Sequence, residues 1–169
     1  MKKAQDELDS REVTMRSARN MLALAALTLT ATAFAGTPVG QKVTPVNVDK
    51  KGLALHGYDP VTYFEADKPQ PGSESFSYSV KGATYRFVSA ENRKRFARGH
   101  ETYMPQFGGY CAKAVSENHT ADVDPLAYKI VSGKLYLNYD AKVQKLWEED
   151  IPGRIAKAEK NWPGLRAAD

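Results

Sequence analysis

The chain has 169 residues, with 24 lysines and arginines against 20 acids and a net charge of +4. That excess is small and dispersed, and no basic run is interleaved with stacking aromatics, so a nucleic-acid partner is not expected. With one cysteine in the whole chain no internal disulfide is available, and packing alone must hold the fold.

Residues 1–14 are charged and fit no export signal, which makes Met15 an alternative start to Met1. Residues 15–35 then read as a signal peptide. Arg16 and Arg19 supply the basic region, Met21 to Thr30 the apolar region, and Ala33-Phe34-Ala35 the small-residue cleavage signal. The apolar run is too short to span a bilayer stably. Cleavage after Ala35 places the protein in the periplasm or outside the cell, with no membrane span left. No cysteine follows the cleavage signal and the two arginines are not adjacent, so neither a lipoprotein nor a twin-arginine route is indicated.

Residues 36–51 mix Pro, Gly, Val and Lys without periodicity and read as a flexible lead-in, with order expected from residue 52. Leu53 to Phe64 is apolar and aromatic, broken by Gly57 and Asp59-Pro60, which suggests a strand, a turn, then a short helix or strand. A Pro/Gly-rich surface loop follows. Phe76, Tyr78 and Val80 alternate with serines, Lys81-Gly82 turns the chain, and Tyr85 and Phe87 alternate with Thr84 and Arg86. That is a β-hairpin with one buried face.

Ser89 has the chemistry of a helix N-cap, with Glu91 in the first turn. The helix it starts should bury Phe96 and Ala97 and stop at Gly99. Asp122-Val123-Asp124-Pro125 marks a turn before a second hairpin, Tyr128–Val131 and Lys134–Tyr139 about Ser132-Gly133. Asp140 should cap a helix carrying Val143, Leu146 and Trp147 on one side. Pro152-Gly153 should break it, leaving a last short helix with Ile155, Ala158 and Trp162 turned inward. No internal repeat or linker is evident, so residues 52–165 are expected to form one α+β domain.

Several blocks, taken in order, resemble the YHS domain family. They are G-Y-D-P-V-T-Y-F (57–64), V-K-G-A-T-Y-R-F-V-S-A-E-N-R-K-R-F (80–96), E-T-Y-M-P-Q-F-G-G-Y-C-A (101–112), and the tail from K-L-Y-L-N-Y (134–139) to N-W-P (161–163). The family is similar to small cysteine-rich metal-binding modules of the TRASH type. This implies a treble-clef-like hairpin-plus-helix core, here extended by a second β-hairpin and C-terminal helices. The resemblance also implies copper or heavy-metal handling. Laid on this chain, the family's cysteine positions fall on Thr62, Val88 and Asn92. None of these can replace a thiolate. The scaffold is kept and its usual metal site is lost.

The remaining soft donors are Cys111, His56, His100 and His119. No two lie within four residues of each other, which argues against a closed zinc site. Cu(I) accepts two or three soft ligands, and thiolate with imidazole suits it. The expected copper ligands are therefore Cys111, His56 and His119, brought together across a cleft lined by Tyr58, Asp59, Gly108, Gly109 and Tyr110. Against this stands the plain reading of each residue: Cys111 as a small buried hydrophobe, His56 as the pin of its own turn, and His100 and His119 as solvated surface.

Two other functions remain open. A metal-free small-ligand or protein-interaction module could use the same scaffold and cleft. A Cys–His thiol enzyme would pair Cys111 with His56 or His119, but the local sequence matches no cysteine-enzyme signature, so a non-enzymatic protein is expected. Asp122 and Asp124 are too few oxygens for a calcium loop and are expected to cap turns.

Overall fold

A computed structural model describes residues 42–66 and 68–167. The expected signal peptide, its cleavage after Ala35, the choice between Met1 and Met15 and residues 36–41 of the lead-in lie outside the described residues. Among the described residues no helix is long and apolar enough to cross a membrane.

The fold is α+β. Its elements run α1 (Thr62–Glu65), β1 (Ser73–Val80), β2 (Ala83–Phe87), α2 (Ala90–Tyr103), α3 (Ala112–Ser116), β3 (Asp124–Val131), β4 (Lys134–Asn138), α4 (Ala141–Glu148) and α5 (Ile151–Leu165). Two antiparallel hairpins form separate sheets, β1 with β2 and β3 with β4. Lys81-Gly82 and Ser132-Gly133 all have positive φ, as tight two-residue turns between twisted strands require. Ser89 Oγ accepts the Asn92 N–H at 3.1 Å and Asp140 Oδ1 the Val143 N–H at 2.7 Å, so both expected N-caps form.

Several local expectations are corrected. Residues 42–51 are packed rather than loose: Val46 is buried, Val43 bridges to Arg166, and the Asn47 N–H donates to the Gly108 carbonyl at 2.8 Å. α2 is interrupted at Gly99, where φ of −161° and ψ of 55° are not helical, and a further turn runs to Tyr103; Ala97, expected inside, is exposed because it lies off the Phe96 face. Leu146 is exposed beside the buried Trp147. Pro152 and Gly153 do not break a helix; they sit in the first turn of α5, where a proline costs no intrahelical hydrogen bond. The turn at Gln106–Gly109 and the helix α3 carry no periodic apolar signal and went unanticipated.

The chain also contains a structural repeat, contrary to the sequence expectation. Leu55, His56 and Gly57 have φ of 53°, 51° and 83°, and Phe107, Gly108 and Gly109 repeat this with 53°, 61° and 82°. A tyrosine follows each triplet, Tyr58 and Tyr110, donating its N–H to the carbonyl of the first triplet residue. Next, Asp59 N–H donates to Gln70 and Cys111 N–H to Ala121. The hairpins then match in length and irregularity. Ser73 pairs with Phe87 and Ser77 with Arg86; Asp124 pairs with Asn138 and Tyr128 with Leu137. Each hairpin leads to a capped helix whose one fully buried aromatic packs on a strand tyrosine. These pairs are Tyr85–Phe96 at 4.8 Å and Tyr136–Trp147 at 5.5 Å between ring centroids. Few side chains are shared, so the duplication is held by backbone geometry and is faint in the sequence.

The core falls into two clusters. One gathers Leu55, Val61, Tyr85, Phe87 and Phe96 with Leu135 and Leu137. The other gathers Phe107, Tyr110, Val115, Tyr136 and Trp147 against Ala158 and Leu165 of α5. β4 is buried on both faces and separates them: Leu135 and Leu137 point one way, Tyr136 the other.

Candidate functional site

Each half of the repeat places one side chain in a cradle made by the residue two places on and by the strand-to-helix corner. In the first half that side chain is Asp59, fully buried. Its Oδ1 accepts the Val61 N–H at 2.8 Å; its Oδ2 accepts the Val88 N–H at 2.9 Å and the Asn92 amide at 2.8 Å. The Thr62 hydroxyl donates to the Asp59 carbonyl at 2.7 Å. Thr62, Val88 and Asn92, the three positions aligned with family cysteines, therefore converge on one residue. Asp59 fills this place with its own carboxylate, fully buried.

In the second half the same place belongs to Cys111, 2% exposed. Burial pushes its thiol pKa up, while the N–H groups of Ala114, Tyr139 and Lys113 and the Lys113 charge act against that shift. Lys113 and Tyr139 stand where Val61 and Val88 stand in the first half. The contacts of the sulfur with these N–H groups fall short of the geometry of a capping hydrogen bond to α3. Its thiol donates weakly to Asn138 Oδ1 at 3.9 Å, and that oxygen also accepts the Lys113 N–H at 3.3 Å. Asn138 is fully buried, and its Nδ2 has no partner among the described residues.

A cavity of about 510 Å³ opens beside the sulfur. Three positions beside it differ between the halves. Cys111 replaces the longer, hydrogen-bonded Asp59; Ala114 stands for Thr62; Val143 stands for Asn92, whose amide closes the first site. Ala114, Ala121 and Val143 make the apolar wall, and Tyr139 and Leu146 stand at the rim. Polar groups flank it. Glu117 is engaged by Lys113 at 2.6 Å and Arg154 at 3.2 Å, and Asp140 is occupied in capping α4. Burial alone would raise the Glu117 pKa, but its two cations hold it below the ordinary carboxylate range. Lys142 borders the cavity outside that network.

Of the expected copper ligands, Cys111 and His119 border this one cavity. His56 does not. Its Nε2 lies 2.8 Å from Asp122 Oδ1, which also accepts the Asn47 amide and the Val123 N–H, both at 2.9 Å. Burial would raise the Asp122 pKa, but the His56, Asn47 and Val123 hydrogen bonds bring it below its ordinary value. Thus His56 ties its turn to the distant Asp122 segment through a carboxylate. Among the described residues no three His, Cys, Asp or Glu side chains gather in a metal-binding group.

The expected cleft is not assembled either. Asp59 is sealed, Tyr58 is half-buried beside Pro71, and Tyr110 reaches Thr44 with its hydroxyl at 3.0 Å. Gly108 and Gly109 hold the lead-in through Asn47. None of these five borders the cavity at Cys111. The residues that do, chiefly Ala114, Lys142, Val143 and Tyr139, were missed because small and exposed side chains carry no motif. One clue was present: Gly57-Tyr58-Asp59 recurs as Gly109-Tyr110-Cys111. Comparison of the chain with protein-family models, with curated proteins and with solved structures finds no match.

Proposed function

We propose that the protein is a metal-free small-molecule-binding module of the YHS type, with its site in the cavity beside Cys111. The observation that carries this reading is the difference between the two halves. The first fills its cradle with its own carboxylate and amide; the second leaves the matching space open and lines it with small apolar side chains. Two of the exposed large apolar residues, Tyr139 and Leu146, stand on its rim, where a ligand would cover them. The ligand is a small amphipathic molecule: an apolar body against Ala114, Ala121 and Val143, and an acidic group facing Lys142. The convergence of Thr62, Val88 and Asn92 on Asp59 supports the family reading. Residues 15–35 support export, so the same proposal places the module in the periplasm or outside the cell. No catalytic role is proposed, because Cys111 is buried with a raised pKa and faces an amide.

A second reading is favoured by one observation: Cys111 and His119 share the cavity, which suits two-coordinate Cu(I). One set of titrations separates the two. The full chain is titrated with 8-anilinonaphthalene-1-sulfonate, an amphipathic anion, under native conditions. Val143→Phe, which fills the cavity, is expected to weaken binding by about tenfold or more with an unchanged unfolding midpoint. Undiminished binding by Val143→Phe overturns the proposal. Tight Cu(I) uptake against a competing chelator, lost in both Cys111→Ala and His119→Ala, would establish the metal reading in its place.

A further inference from the structure

We infer that the mouth of the Cys111 cavity is a docking face for an anionic lipid bilayer, from which the cavity draws its amphipathic ligand. The inference rests on the ligand-binding reading above for what is taken up, and it names where that ligand comes from.

Three observations carry it. First, exposed apolar surface is concentrated at this mouth. Among the described residues three large apolar side chains are exposed, and two of them, Tyr139 at 41% and Leu146 at 39%, line the cavity. A leucine in that position gains by leaving water for acyl chains, and a tyrosine suits the level of the headgroups.

Second, the cations beside these two are unspent. Lys142, Lys145 and Leu146 stand at i, i+3 and i+4 of α4 and so share one face. Neither lysine forms an ion pair among the described residues. The acids nearby are occupied: Glu117 holds Lys113 and Arg154, Asp140 caps α4, and Glu148 holds Lys129 at 3.1 Å. Glu149, one turn beyond Lys145 at the end of α4, makes no ion pair with it. The core of a protein interface is depleted in lysine, whereas an anionic bilayer attracts each lysine at its surface and lets the stem lie along apolar groups. The charge pattern therefore favours a membrane over a protein partner.

Third, the cavity runs inward from this face. Its lining passes from the exposed Lys142 and Leu146 to the buried Ala114 and Cys111. An acyl chain entering past Leu146 would leave the bilayer without crossing water.

The test floats the full chain with vesicles of phosphatidylglycerol and phosphatidylcholine in equal parts, and with phosphatidylcholine alone. Binding to the mixed vesicles at low salt is expected to exceed the other by about tenfold or more and to fall in high salt. Lys145→Gln should weaken it about fivefold, and Lys142→Gln with Lys145→Gln about thirtyfold. Leu146→Gln keeps both cations and should weaken it about tenfold. All three positions are exposed, so the unfolding midpoints should not move. Equal binding to the two vesicles, or undiminished binding by the double lysine variant, overturns the inference. Binding to neither also overturns it and leaves a protein as the occupant of this face. Titration with 8-anilinonaphthalene-1-sulfonate in the absence of vesicles reads the cavity separately. Lys145 does not border the cavity, so Lys145→Gln should leave the dye's affinity unchanged. Dye binding undiminished by Val143→Phe beside normal flotation overturns the uptake and leaves the docking.

Discussion

Asp59 and Cys111 occupy equivalent places in two backbone repeats, each one residue after a tyrosine that follows three left-handed residues. One place is filled by an ionisable group with every oxygen bonded. The other is filled by a thiol with loose contacts and open space beside it. The stability of the fold depends on the first and its proposed function on the second.

Asp59→Ala should therefore cost about 3 kcal/mol, because it strands the Val61 and Val88 N–H groups and the Asn92 amide in the interior. Asp59→Asn keeps one acceptor oxygen and should cost less, about 1–2 kcal/mol. Urea unfolding of both variants checks the order, and an Ala variant as stable as Asn would contradict the role given to the carboxylate.

Gly108 and Gly133 both have positive φ, but their surroundings differ. A Cβ on Gly108 would lie 2.0 Å from the Pro45 carbonyl oxygen, whereas one on Gly133 would meet nothing within 4 Å. Gly133→Ala should lose only the conformational term, about 1 kcal/mol. Gly108→Ala should lose more, about 2–4 kcal/mol, and release the lead-in. Hydrogen exchange at the Asn47 amide, which donates to the Gly108 carbonyl, should accelerate in Gly108→Ala alone.

The acid limb of stability should respond to Glu117 and Asp122. Both carboxyls are held below their ordinary values in the folded protein. As pH falls the unfolded chain takes up these protons first, so the contribution is whole above the ordinary carboxylate pKa, about 4, and drains away as pH drops through the folded values. Urea midpoints should fall between about pH 5 and pH 3. Glu117→Gln should flatten that slope and leave the region above pH 6 unchanged in shape. High salt should reduce the difference, since the Glu117 side chain is 41% exposed. A slope identical to wild type would count against the Lys113–Glu117–Arg154 network.

Much of the architecture was legible in the residues. Alternating aromatics and a dipeptide turn marked both hairpins, and Ser89 and Asp140 were evident caps. These features are local, so a short window of sequence contains their cause. The repeat was not legible. Tyr85 and Tyr136 keep their identity, but Phe96 has become Trp147, Asn92 has become Val143 and Asp59 has become Cys111. A fold tolerates such exchanges while its backbone hydrogen bonds and turn angles persist. A lone acid beside a turn shows nothing of the two distant donors that bury Asp59, the Val88 N–H and the Asn92 amide.

By itself the sequence determined the class of fold, the two hairpins, the helix starts and the absence of any disulfide, because each follows from neighbours in the chain or from composition. Only the tertiary structure decided where the soft donors go. It sent His56 to Asp122, buried Cys111 beside Asn138, and opened a cavity between residues of α3, Ala121 and the first turns of α4. The reason is that a cavity is a deficit of volume among residues far apart in the chain. No single segment records it.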